Sequence, residues 1–131
     1  MIGRPTPTVW IVDDDLGFVW WLSEIFTDVG HQTVPALSCH QAASLMKRLG
    51  LAVDLLIVNP HLEGVLRLLQ TIRCANPQVK IIAIESTSTA PVVDVNANAT
   101  LERPSGRESI SRRDWLTKLR RLLRTIEATD R

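Results

Sequence analysis

Two short apolar runs constrain the fold of this chain more than any other feature. "DLLIV" (54–58) and "VKIIAI" (79–84) are continuously apolar rather than alternating. A strand with one wet face alternates; an unbroken run too short for a helix is buried on both faces. Such strands belong to parallel sheets, because a parallel pair needs a crossover and the crossover helices cover both sides.

The remainder of the chain supplies those helices. "TVWIV" (8–12) is a β-branched and aromatic strand that the cluster Asp13, Asp14, Asp15 stops. Phe18, Leu22, Ile25, Phe26 and Val29 then recur at helical spacing, and Gly30 closes that helix. "HQTVPA" is a short strand placed at a sheet edge by Pro35, which cannot donate to a ladder. Ser38 followed by Gln41 is a capping box opening a helix that runs to about Leu49. "VLRLLQTIRCA" is helical, and "ATLE" (99–102) is a short strand leading into Arg103 and Pro104.

The last helix spans Ser109 to about Ala128. Trp115, Leu116, Leu119, Leu122, Leu123 and Ile126 form its apolar stripe, opposite Arg113, Arg120, Arg121 and Arg124. The stretch 86–98 has no clean period where the alternation calls for a helix. Strands alternating with helices in this way predict an α/β fold with a doubly wound parallel sheet. Ligands in such folds sit beyond the carboxyl ends of the strands, where strand order reverses. Those ends carry Asp13, Asp14, Asn59, Glu85 and Arg103.

Composition narrows the function classes. At 131 residues the chain is read as one domain, 8–128, with a flexible leader at 1–7 and a tail at 129–131. Fifteen Lys and Arg against fourteen Asp and Glu leave a formal charge of +1, which implies no polyanionic partner. Cys39 and Cys74 lie far apart without CxxC spacing, and no apolar run approaches a membrane span or a secretory leader. A cytoplasmic protein with reduced thiols is expected. There is no Gly-rich phosphate cradle, Cys/His cluster or nucleophile elbow, so no enzymatic activity is expected.

In order and spacing, "VWIVDDD", "DLLIVN", "NPQVKIIAI" and "LERP" resemble a response-regulator receiver domain of two-component signalling, of the kind that heads nitrogen-regulation-type transcription activators. The resemblance covers the chain from Thr8 onward. It implies a flavodoxin-like, three-layer fold with a five-stranded parallel sheet in the order 2-1-3-4-5. The helix between the fourth and fifth strands would be short or irregular.

The resemblance also implies roles for the strand ends. Asp13 and Asp14 match the acidic pair that holds Mg²⁺. The phosphoacceptor position, an Asp in the family, is Asn59. The Thr or Ser position after the fourth strand holds Glu85, and the Lys position holds Arg103. The turn behind Asn59 is also shorter than the family's, with Gly64 surviving.

These exchanges change the chemistry. A carboxylate attacks a phosphoryl donor because it is charged and has a free lone pair, whereas the Asn59 amide is neutral and delocalised. Deamidation to Asp is blocked, since cyclisation needs the next backbone N–H and Pro60 has none. Asp13 and Asp14 alone are expected to bind Mg²⁺ weakly or not at all, and otherwise to be a solvated loop that caps the first helix. Glu85 and Arg103 are expected either to form a fixed ion pair or, with Ser86 in the switch slot, to leave Glu85 in solvent.

The expected function is therefore an atypical, phosphorylation-independent receiver, a pseudo-receiver acting in signal transduction or transcription regulation through a protein partner, an effector domain or a second copy. Its alternatives are phosphorylation on another carboxylate, such as Asp13, Asp14 or Glu63, and a small molecule held among Asp13, Asn59 and His61. Trp20, about 160° from Leu22 on a helical wheel, is a candidate interface residue, as are Arg113, Arg120, Arg121 and Arg124. No element that reads nucleic acid accompanies those arginines, so nucleic-acid binding is not expected of this domain.

Overall fold

The computed structural model describes residues 7–50, 52–85, 95–102 and 109–129, with side chains of the last helix described from 113 to 124. The leader, the tail beyond Thr129, Ser86 and Arg103 lie outside the described residues, as does most of the aperiodic stretch between the fourth and fifth strands. In chain order the elements are β1 (Thr8–Val12), α1 (Leu16–Asp28), β2 (Gln32–Ala36), α2 (Cys39–Leu49) and β3 (Leu55–Val58). They continue through α3 (Val65–Ala75), β4 (Lys80–Glu85), β5 (Ala99–Glu102) and α4 (Ser109–Thr129).

The five strands form one parallel sheet in the order β2-β1-β3-β4-β5, the flavodoxin-like order. Side chains on successive strand residues point to opposite faces, so the continuous apolar runs feed two cores. Trp10, Val12, Leu56, Val58, Ile81 and Ala83 pack toward α2 and α3. Val9, Ile11, Leu55, Ile57, Ile82, Ile84 and Leu101 pack toward α1 and α4. The result is three layers, α2 and α3, then sheet, then α1 and α4. Pro35 does lie on the edge strand, in register with Ile11.

The local signals that start and stop the helices act as short-range physics requires. Ser38 caps α2 by accepting from the Gln41 N–H at 3.0 Å, and Gln41 Oε1 accepts from the Leu37 N–H at 2.7 Å. The return bond thus reaches one residue further back than in the usual capping box. Gly50 ends α2 in the left-handed region at φ 63°, its N–H donating to the Met46 carbonyl.

One expectation about α1 needs correction. The capping carboxylate is Asp15, whose Oδ1 accepts from the Phe18 N–H at 3.2 Å, and not Asp13 or Asp14. Asp13 is also not solvated: it is 1 % exposed. Its position one residue past a fully buried strand places it still inside the fold.

Long-range ties fasten segments that show no period. Arg73, near the end of α3, donates to the carbonyls of Val95 and Asn96 at 2.9 and 2.8 Å. Asn98 continues the ladder on β4 with both its backbone N–H and its side-chain Oδ1, each 2.8 Å from an Ile81 backbone group. Of the two thiols, Cys74 is exposed and Cys39 is buried, and burial pushes the Cys39 thiol pKa up.

Candidate functional site

The chain leaves β1 toward β2 on one side and later enters β3 on the other, so the order of strands reverses between β1 and β3. Val12 and Val58 are in register there, and the next residues, Asp13 and Asn59, are brought side by side. Backbone bonds hold both: the Asp13 N–H donates to the Ala36 carbonyl at 3.1 Å and the Asn59 N–H to the Val12 carbonyl at 3.0 Å.

The two side chains face each other. Asn59 Nδ2 lies 3.5 Å from Asp13 Oδ1, a long hydrogen bond, and the Asp15 N–H donates to the same oxygen at 3.1 Å. Asn59 Oδ1 accepts from the His61 N–H at 2.9 Å, forming an Asx-type turn with Pro60 buried inside it. This network assigns the amide orientation, nitrogen toward the carboxylate and oxygen toward the turn. Asp14 and the His61 side chain are exposed.

Glu85 is the last residue of β4 and is half-buried. Directly across from it, in register on β5, stands Glu102, a neighbour that strand patterning alone did not single out. Like charges directly opposed on neighbouring strands repel. Arg103 follows Glu102 in the chain but lies outside the described residues. The Glu102 carbonyl accepts from Trp115 Nε1, so the end of β5 is tied to α4.

These donors fit a Mg²⁺ ion poorly. Mg²⁺ requires near-octahedral oxygen ligation and keeps several waters. Here the Asp13 Oδ1 is engaged by a backbone donor and faces an amide nitrogen, and the Asn59 oxygen is turned to His61. Among the described residues no group of three or more His, Cys, Asp or Glu is arranged to hold a metal ion.

The candidate interface residues lie on another part of the surface. Trp20 is 64 % exposed, and Arg113, Arg120, Arg121 and Arg124 are all exposed. Trp21, by contrast, is half-buried, its ring tilted against those of Phe18 and Trp115. A separate groove of about 810 Å³ opens between α2 and α3, with Cys39, Ala43, Met46 and Leu68 at its floor and His40, Lys47, Glu63 and Arg67 among its polar lining. Asp13, Asn59 and His61 do not line it. No helix among the described residues is long and apolar enough to cross a membrane.

No protein-family model matches the chain, and no curated protein matches it in sequence. Solved structures do match. A CheY-like response regulator receiver domain protein from Methanospirillum hungatei JF-1 aligns with a TM-score of 0.69 at 20 % identity, over 95 % of this chain and 99 % of that one. A response regulator receiver protein from Pseudomonas putida gives 0.67 at 21 % identity, over 94 % and 99 %. A Burkholderia pseudomallei response regulator, solved with a phosphorylated aspartic acid, a calcium ion and citrate, gives 0.60 at 23 % identity, over 79 % and 64 %. The five-stranded parallel sheet, its strand order and its covering helices are those of the response-regulator receiver fold.

Proposed function

We propose that the chain is a receiver-type regulatory module of two-component signalling that does not pass through an aspartyl phosphate and acts by contact with another protein. The observation that supports this most directly is Asn59 at the carboxyl end of β3, beside buried Asp13 at the point where strand order reverses. A phosphoryl acceptor there needs a charged oxygen nucleophile, and an amide offers none. The neighbouring Asp13 is itself buried behind the amide, out of reach of a donor in solution.

Mg²⁺ follows the same logic. With one carboxylate replaced by an amide whose nitrogen faces Asp13, the pocket lacks the anionic oxygen that would complete a cation site. We therefore assign no resident metal and no enzymatic activity. The contact would be made in the cytoplasm, with a separate protein, an effector domain in a longer chain, or a second copy, and its output would include transcription regulation.

Glu85 and Arg103 are assigned to a permanent ion pair that stands in for the reversible phosphoryl–Lys pair of the family. The side-by-side placement of Glu85 and Glu102 supports it, because two adjacent carboxylates call for a cation nearby. Glu85→Thr is expected to lower stability and change partner affinity. A variant identical to the parent in urea unfolding and in partner binding would remove the pair from the proposal.

The module as a whole is tested by mixing the protein with Mg²⁺ and acetyl phosphate, and separately with a fluoroberyllate mimic, while following intact mass and Trp fluorescence. No mass gain and no fluorescence change are expected. A base-labile gain of one phosphoryl group would overturn the proposal in favour of another carboxylate, and peptide mapping would then distinguish Asp13, Asp14 and Glu63.

A further inference from the structure

The groove between α2 and α3 is separate from the strand-end site and has a lining of a different kind. Both helices follow strands of one parallel sheet, so they run side by side in the same direction. The floor is apolar and built of small or pliant side chains, Cys39, Ala43 and Met46 from α2 and Leu68 from α3. Ala43 and Met46 are only partly buried by the core beneath them. The walls come close at the helix starts, where a Cβ on Gly64 would stand 3.8 Å from the Cβ of Cys39. Each wall carries one exposed cation, Lys47 on α2 and Arg67 on α3. Among the described residues, neither side chain has a carboxylate within ion-pair distance. Glu63, the carboxylate of the lining, precedes the start of α3, whereas Lys47 lies about 12 Å further along α2 than Cys39.

We propose that this groove binds a small amphipathic anion, a carboxylate on an unbranched alkyl chain. Its volume of about 810 Å³ lies within the range of about 300–1,000 Å³ for small-molecule sites. A saturated chain advances about 1.2 Å per bond, as an extended backbone does, so about ten carbons cover the distance from Cys39 to Lys47. The alkyl body lies along the floor, where the Met46 thioether adapts to its shape. The carboxylate is gripped between the Lys47 ammonium and the Arg67 guanidinium by charge-assisted hydrogen bonds. Glu63 repels it from the other end, so the ligand has one direction.

The placement of apolar surface selects a small ligand over a docked protein. Protein contacts are anchored by large side chains that stand out from the surface. Among the described residues those are Leu16, Trp20, Val29, Leu37, Leu49 and Leu66, and none of them lines the groove. Here the rim is polar and the apolar surface is sunk, which suits a molecule that enters. The site adds an input to the module proposed above and takes nothing from Asn59. Failure to bind the anion leaves the reading of the strand-end pocket standing, and a phosphoryl gain that leaves anion binding intact overturns that reading alone.

The chain contains two methionines, Met1 and Met46, so methyl-labelled methionine gives a reporter on the groove floor and an internal control at the chain start. Decanoate, decanol and decylamine are titrated into the full chain below their micelle concentrations while the two methyl resonances are followed by NMR. Decanoate is expected to shift the Met46 resonance saturably and to leave that of Met1 in place. Decanol should bind at least about tenfold more weakly, because it lacks the charged hydrogen bonds, and decylamine more weakly still. Shortening the acid to octanoate and hexanoate should weaken binding about two- to fourfold per methylene, the range between half and full burial of each. Lys47→Glu combined with Arg67→Glu should lower decanoate affinity at least about tenfold and raise that of decylamine, with an unchanged thermal midpoint because both residues are exposed. A Met46 resonance that decanoate does not move, equal affinity for decanoate and decanol, or undiminished decanoate binding by the folded double variant would each overturn the proposal. A short helical peptide of Leu, Ala and Glu that shifts Met46 where decanoate does not would overturn it in favour of a protein at this groove.

Discussion

Trp115→Ala is expected to cost about 3–5 kcal/mol of folding stability, the range for deleting a buried aromatic side chain. Trp115 is 5 % exposed and stands at the centre of a three-ring cluster, edge-on to Phe18 and tilted against Trp21. Its removal takes away the contact that seats α4 on α1. It also leaves the Glu102 carbonyl, at the end of β5, without its indole donor. Against a total of about 5–15 kcal/mol for a domain, this is a large share.

Urea unfolding followed by far-UV circular dichroism measures the effect, with Trp115→Phe as the control. Phenylalanine keeps a ring in the cluster and loses only the N–H, so a cost well below that of alanine is expected, closer to the roughly 1 kcal/mol of one hydrogen bond plus the lost ring area. Trp20→Ala should stay within about 0.5 kcal/mol because most of its side chain is in water. If Trp115→Ala unfolded at the parent's urea concentration, the cluster would not be what holds α4.

Asn59→Asp is expected to make the protein's stability depend on Mg²⁺, and the parent's is expected not to. The substitution sets a second carboxylate beside buried Asp13, where the amide nitrogen now lies 3.5 Å from Oδ1. Two carboxylates at such a distance disfavour one another's ionisation by one to several pKa units, or about 1–4 kcal/mol of strain at neutral pH. A divalent cation relieves that repulsion. At a concentration about 100-fold above its Kd it would return about 2.7 kcal/mol.

Thermal melts of parent and variant, each in EDTA and in Mg²⁺, read this directly. The expected pattern is a variant that melts lower than the parent in EDTA and recovers with Mg²⁺, beside a parent that ignores the ion. A parent stabilised by Mg²⁺ would overturn the reading of the amide as a block to the cation. A variant as stable as the parent in EDTA would show that the two positions are not electrostatically coupled.

Much of the fold was legible because its strongest signals are local or periodic. The unbroken runs at 54–58 and 79–84 called for burial on both faces, and the two cores on either side of the sheet use both. Pro35 named the edge and Ser38 named a helix start, each through a single missing or added hydrogen-bonding group. Residues 95–98, just before β5, were not legible, because they are held by bonds through Arg73 and Asn98 that act across more than a dozen residues and leave no period.

The site was legible in its residue types and not in its environment. Asn59 could be recognised as a non-nucleophile from the chain alone. That Asp15 rather than its neighbours caps α1, and that Asp13 is sealed in, depends on where the strand ends within the sheet. Glu102 opposite Glu85 depends on register between strands, and register is a property of the pairing rather than of either segment.

By itself, then, the sequence determined the alternation of elements, the double-sided burial of β3 and β4, and the presence of a neutral amide, Asn59, directly after β3. Those follow from side-chain chemistry and spacing along one segment. The tertiary structure alone decided that Asp13 and Asn59 meet, that Trp115 joins the end of β5 to α1, and that Lys47 and Arg67 line one groove. Each of those joins residues far apart in the chain, and only the packing of layers on a common sheet brings them together.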